Sequence, residues 1–192
     1  MTPLADALWH ARQHGGTVAR PDYLGLEDAY AVQAEIAAAS GMQQVGFKVG
    51  STSVEAQRKL GTDQPGAGPL FAPVVHASPA TIAIFPEHIP AIEGEFAVRL
   101  GRDVPPRDTE YSYAEVADTI EAVAGAIEVV GTRFEKGFEK LGRALVTADG
   151  GANIAFAHAN WATIWRDLDL ADHEVIASIN GKERKRGTGS EV

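Results

Sequence analysis

A chain of 192 residues is long enough to bury one continuous core and too short for two ordinary domains. Its 26 acidic side chains against 17 basic ones leave a formal charge of −9, which repels phosphate backbones and anionic lipid and makes nucleic acid and membrane surfaces poor partners. Zero cysteines exclude disulfides, thiolate metal sites and a Cys nucleophile, and with no basic leader or apolar run of about 18 residues the sequence reads as cytoplasmic, with small molecules, metals or proteins as its partners.

A first helix is predicted where Thr2 can cap, Pro3 opens the first turn, and Leu4, Leu8 and Ala11 recur at helical spacing before Gly15-Gly16. Residues 26–39 read as a second helix whose thin apolar stripe is Tyr30, Ala34 and Ala37/Ala38, ended by Ser40-Gly41. The glycine-bounded run Gly46-Phe47-Lys48-Val49-Gly50 reads as a strand, and residues 53–60 as a short helix closed by Gly61. Beyond it the pattern is mostly β, with strands expected at 81–85, 91–100, 124–130, 153–157 and 174–179. Two helical insertions interrupt them. Ser112 and Glu115 have capping-box spacing ahead of Val116, Ile120 and Val123 on one helical face, and residues 134–141 form the other. Near the end, alternation through Val175, Ala177 and Ile179 runs into Asn180-Gly181, a strong hairpin signal, with residues 182–185 returning. The basic run Lys182-Glu183-Arg184-Lys185-Arg186 reads as a solvated edge strand of that hairpin rather than a nucleic-acid patch.

The chemistry concentrates in residues 91–100. On a strand, Ile92, Phe96, Val98 and Leu100 share one face that suits a core, which puts Glu93 and Glu95 together on the other. Their Cα atoms then lie roughly 6.6 Å apart, so both carboxylates can converge on one ion; two solvated glutamates are the alternative. Glu128 sits alone in the apolar run 123–131, where an unpaired carboxylate would cost several kcal/mol and so requires a cation, a basic partner or a proton. Arg133 is the nearby basic candidate. Three carboxylates with no cysteine and no paired histidines favour a hard ion, Mg²⁺ or Mn²⁺, over Zn²⁺. His10 and His14 share a helix face and read as surface. Lys48 in an apolar strand either meets an anion, where it could serve acid-base chemistry, or snorkels from an edge. Asp63, ahead of Gln64-Pro65, is compatible with ordinary turn chemistry.

Taken together, Gly46-Phe47-Lys48-Val49-Gly50, Leu60-Gly61-Thr62-Asp63-Gln64-Pro65, the Glu93-Gly94-Glu95 strand with Arg102-Asp103-Val104-Pro105, Ile127-Glu128-Val129-Val130-Gly131-Thr132-Arg133, Ala148-Asp149-Gly150 and Gly187-Thr188-Gly189-Ser190-Glu191 occur in an order that resembles the hydratase and decarboxylase branch of the fumarylacetoacetate hydrolase superfamily. The resemblance implies an α+β fold: a helical N-terminal segment, residues 1–45, followed over residues 46–192 by a mixed β-sandwich roll. It implies a divalent metal, Mg²⁺ or Mn²⁺, on Glu93, Glu95 and Glu128, with Lys48 as charged partner or proton shuttle and Asp63 as acid/base beside it. The implied substrate is a small 2-oxo or 2-hydroxydienoic acid such as 2-keto-4-pentenoate, met in aromatic catabolism by a hydro-lyase that is a homo-oligomer. Decarboxylation of an oxalocrotonate-like acid and C–C hydrolysis of an acylpyruvate are the neighbouring chemistries, and an inactive partner subunit is the alternative of another class. Two departures accompany the resemblance. Gly150, Gly151 and Ala152 follow Ala148-Asp149 where the pattern often brings an Asn and a Ser, and relatives continue past the Gly-x-Gly-Ser-Glu motif whereas this chain stops at Val192, as if the C-terminal part of the roll were missing.

Overall fold

The computed structural model describes residues 1–191, and Val192, the last residue of the expected roll, lies outside the described residues. In chain order the elements are α1 (Pro3–His14), α2 (Leu26–Ser40), β1 (Gln44–Gly50), α3 (Val54–Leu60), β2 (Gly66–Phe71), β3 (Val75–Ala77), β4 (Ala91–Leu100), α4 (Tyr113–Ala117), β5 (Ile120–Val130), α5 (Gly142–Ala148), β6 (Asn153–His158), β7 (Glu174–Ile179) and β8 (Lys182–Thr188), with short 3-10 turns between some of them. This is an α+β fold in which helices lead and strands follow. The strands form an antiparallel β1–β2 pair, a four-stranded sheet in the order β3-β6-β5-β4, and the β7–β8 hairpin. Two compact units divide the chain: the first takes Met1–His76, Ala80–Glu93 and Glu128–Phe156, the second Ala77–Pro79, Gly94–Ile127 and the residues from 157 onward.

In the first unit, α1 and α5 pack on α2 around Ala5, Leu8, Ala29, Val32, Ile36, Phe134, Leu141 and Ala148. The sequence signals at the helix ends hold. Thr2 Oγ1 accepts from Ala5 N at 3.4 Å, Ser53 Oγ accepts from Ala56 N at 3.2 Å, and Gly41 and Gly61 close their helices in the left-handed conformation. The apolar face of α2 is corrected. Ala29, Val32 and Ile36 are buried, while Tyr30, Ala34 and Ala38 face solvent, because the branched side chains remove more apolar area from water than an alanine stripe does.

Three further expectations change. Residues 81–85 form no strand; Pro79 and Pro86 closely flank the segment and Pro86 opens a 3-10 turn directly after it. The helix predicted over 134–141 is a turn-rich loop with Lys136, Gly137 and Lys140 at positive φ, and its carbonyls are held from outside. Arg20 donates to the carbonyls of Glu135, Gly137 and Glu139 at 2.9, 2.7 and 2.7 Å, so one guanidinium replaces the missing helical hydrogen bonds. In the second unit the capping box at Ser112 and Glu115 is present, but α4 ends at Ala117 and Ile120 and Val123 belong to β5.

The Asn180-Gly181 hairpin turns as expected, with φ of 52° and 72°. On β4, Ile92, Val98 and Leu100 are each about half exposed, whereas Ala97, on the face that carries Glu93 and Glu95, is buried. Alternation distinguishes two faces of a strand; what stacks on them decides which is covered.

His88 is buried in the first unit, where Nε2 donates to the Gly16 carbonyl at 2.9 Å and the ring meets the Phe85 ring edge-on. Burial pushes the imidazole below its ordinary value of 6.5, and Arg133 adds to the push. The unfolded chain therefore takes up the proton more readily, and stability contributed by neutral His88 is lost as pH falls below about 6.5. Urea midpoints are expected to drop between pH 7 and pH 5.5, and His88→Gln, which keeps a donor toward Gly16, to flatten that slope.

Candidate active site

The β1–β2 register sets Lys48 opposite Gly68. Val45, Phe47 and Val49 point to solvent, so alternation turns Lys48 inward. Gly151 makes room for its stem, and Gly68 lets β2 approach the backbone at Gly150. A Cβ on Gly68 would stand 2.5 Å from the Gly150 carbonyl oxygen, and one on Gly151, at φ 72°, would stand 2.9 Å from Lys48 Cδ.

The ammonium so guided lies 3.1 Å from Glu128 Oε2, with both side chains nearly dry at 9% and 1% exposure. The contact is an ion pair, and Oε2 accepts from no other group among the described residues. The other oxygen is held differently. Asn153 Nδ2 donates to Glu128 Oε1 at 2.8 Å. Burial is the largest influence on Glu128 and pushes its carboxyl above the usual range; Lys48 and Asn153 pull it down, and Glu93 pushes it up.

Glu93 and Glu95, two apart on β4, and Glu128 on β5 each offer one carboxylate oxygen, and these atoms all lie within 4.8 Å of one another. Two oxygens ligating a hard cation from opposite sides stand roughly 4–5 Å apart, so this spread suits one ion. With Oε2 met only by the Lys48 ammonium, an all-oxygen donor set fits a hard divalent ion and offers no soft ligand for zinc.

Arg133, the candidate partner of Glu128, pairs elsewhere. Its Nε meets Asp149 Oδ1 at 2.5 Å, Nη2 donates to the Asp149 carbonyl at 2.6 Å and Nη1 to the Asn153 carbonyl at 3.1 Å. Asp149 Oδ2 accepts from Thr132 Oγ1 and Arg133 N at 3.0 and 2.9 Å. Asp63 is exposed in the turn after α3, and among the described residues no hydrogen bond or ion pair joins it to Lys48. His10 and His14 stack at the surface with ring centroids 4.5 Å apart, away from any acidic cluster.

Asn153 and the Arg133–Asp149 pair escaped the sequence reading. The usable signal for Asn153 was the one that marked Glu128, a lone polar side chain at the start of an apolar strand. Asp149, between Ala148 and two glycines, carries no such mark.

No family model matches the chain. Over 195 residues it is 31% identical to the 2-keto-4-pentenoate hydratase of Paraburkholderia xenovorans (strain LB400), covering 97% of this chain and 70% of that one. The chain belongs to the 2-keto-4-pentenoate hydratase family. The family lies in the hydratase and decarboxylase branch of the fumarylacetoacetate hydrolase superfamily. Another relative, the TodF product hydratase of Pseudomonas putida, is 38% identical over 136 residues, which cover 67% of this hydratase-family chain and 50% of the relative. The hydratase-family fold recurs in a 4-oxalocrotonate decarboxylase from Pseudomonas putida G7, solved with magnesium and adipate, at a TM-score of 0.83 and 24% identity over 97% of this chain and 72% of that one. Among the described residues, no helix of this family member is long and apolar enough to cross a membrane.

Proposed function

We propose that the chain is a divalent-metal-dependent hydro-lyase that hydrates a small 2-hydroxydienoic acid, of the 2-keto-4-pentenoate kind, in the breakdown of aromatic compounds. The observation that carries the reading is the desolvated Lys48 ammonium 3.1 Å from Glu128 Oε2, in a chain whose relatives are hydratases. Glu93, Glu95 and Glu128 would hold Mg²⁺ or Mn²⁺. When bound, such an ion supplies Lewis acidity to the adjacent carboxylate and 2-oxygen of the substrate.

The chain's own residues account for the proton traffic. Hydration begins when the enol proton leaves the 2-oxygen and the terminal carbon gains one, which gives a conjugated ketone; water then adds across the remaining double bond. Lys48 Nζ stands to stabilise charge on the 2-oxygen and to carry that proton, and the dry surroundings strengthen both effects. Asp63 is the second acid/base, on an exposed turn with no competing partner among the described residues. Gly150, Gly151 and Ala152 bring no hydroxyl to the segment after Asp149, so handling of water falls to Lys48 and Asp63.

Incubation of the protein with a panel of 2-hydroxydienoates and 4-oxalocrotonate, followed by ultraviolet absorbance and product identification, tests the reading. Hydroxylated 2-oxo acids are expected, lost on EDTA treatment and restored by Mg²⁺ or Mn²⁺. Loss of CO₂ from 4-oxalocrotonate with the dienoates untouched would make the enzyme a decarboxylase, and cleavage of an acylpyruvate alone would make it a hydrolase. An intact metal site with no substrate consumed would favour a partner subunit.

A further inference from the structure

We propose that Asn153 is a positioning residue for the metal site: its amide pins Glu128 Oε1 and leaves Oε2, beside Lys48, as the oxygen available to the ion. The inference rests on the reading of Glu93, Glu95 and Glu128 as metal ligands.

Asn153 is 1% exposed, and a buried primary amide is retained at a cost unless its donors are used. Its Nδ2 is spent on Glu128 Oε1 at 2.8 Å. A carboxylate has two equivalent oxygens and a free torsion, so in a cavity with one ammonium nearby it could turn either oxygen to Lys48 or chelate it with both. The amide removes that freedom by occupying one oxygen.

The backbone beneath the amide is itself held. Gly150, Gly151 and Ala152 are consecutive left-handed residues at φ 66°, 72° and 62°, and the alanine adopts a conformation that L side chains rarely take. They turn the chain into β6 directly at Asn153. Gly131 N donates to the Ala152 carbonyl at 2.8 Å, and Arg133 Nη1 to the Asn153 carbonyl at 3.1 Å, with Arg133 clamped by Asp149. The segment between Ala148 and β6 therefore delivers a donor to Glu128 from a backbone anchored on both sides of the delivering residue. A neutral donor suits the task. It favours the ionised carboxylate that a cation needs, adds no positive charge to repel the cation, and keeps its hydrogen-bonding role at every pH.

Calorimetric titration of the full chain with Mn²⁺ tests the assignment, using Asn153→Leu, which keeps most of the side-chain volume and removes the donor. Mn²⁺ affinity is expected to fall about 10- to 100-fold, the usual effect of removing a group that orients a metal ligand. In the Glu128→Gln background the same substitution is expected to change affinity less than about twofold, because the carboxylate it orients is gone. Thermal melts in EDTA establish that each variant folds, and Asn153→Ser replaces Asn153→Leu in the cycle if the latter does not. Unchanged Mn²⁺ affinity in the single variant overturns the assignment and leaves the metal site standing. An equal loss in both backgrounds also overturns it, since that marks general loosening. Absence of Mn²⁺ binding by the parent chain overturns the metal reading itself and this inference with it.

Discussion

Lys48→Met is expected to lower kcat on a 2-hydroxydienoate by about 10²- to 10⁴-fold, the range associated with loss of a positioned acid/base group. Methionine matches the length of the lysine stem and fits the room left by Gly151, so packing is conserved and only the ammonium is lost. A second consequence follows from Glu128. Lys48 is the largest influence holding its carboxyl down against burial, so in the variant the carboxyl rises further above the usual range. A raised carboxyl keeps its proton to higher pH, and the proton competes with the cation for Glu128. Mn²⁺ affinity should therefore weaken as pH falls, and in Lys48→Met this weakening should begin nearer neutrality than in the parent. Rate measurements at saturating metal, with Mn²⁺ titrations from pH 5.5 to 8.5, separate the two effects. Retention of kcat within tenfold would remove Lys48 from the proton path.

Arg133→Met is expected to destabilise the protein by about 3–5 kcal/mol, the cost of stranding one member of a buried ion pair. Arg133 and Asp149 are 1% and 2% exposed, and the guanidinium donates to the Asp149 carboxylate and carbonyl and to the Asn153 carbonyl. Removing it leaves the Asp149 charge in a dry interior with Thr132, a backbone amide and the Arg12 guanidinium, whose Nη2 donates to the Asp149 carbonyl at 3.5 Å and which pairs with the carboxylate only at longer range. The double variant Arg133→Met/Asp149→Leu is expected to recover part of the loss, because the stranded carboxylate is gone and the neighbouring Arg12 is freed of the Arg133 charge as it loses that of Asp149. Urea denaturation of the four proteins measures this directly. Recovery in the double variant would identify the pair as an expense of the fold, kept to anchor the backbone at Asn153; a sum of two independent losses would count against that view.

Much of this protein was legible without coordinates where the cause is local. The caps at Thr2 and Ser112, the stops at Gly41 and Gly61, the Asn180-Gly181 turn and the strand at 174–179 depend on interactions within a few residues, and they stand where the sequence places them. Glu128 belongs to the same class for an energetic reason. A carboxylate in an apolar run must be compensated, whatever compensates it.

The identity of the compensator was not local. Arg133, five residues along the chain, points away from Glu128, while Lys48 arrives from 80 positions upstream and Asn153 from 25 positions downstream. The covered faces were not local either. Tyr30, Ala34 and Ala38 made a plausible stripe on α2, and Ile92, Val98 and Leu100 a plausible core face on β4, yet each is open among the described residues. Periodicity reports that two faces differ in polarity, and only the elements stacked on them decide which one loses its water.

The sequence by itself therefore determined the local caps and turns, most of the strands from β4 onward, the family, and that Glu128 needs a compensating partner. Tertiary structure alone decided that Lys48, Glu128 and Asn153 meet, because the desolvation that makes their charges and amide matter exists only once strands distant in sequence have closed around them.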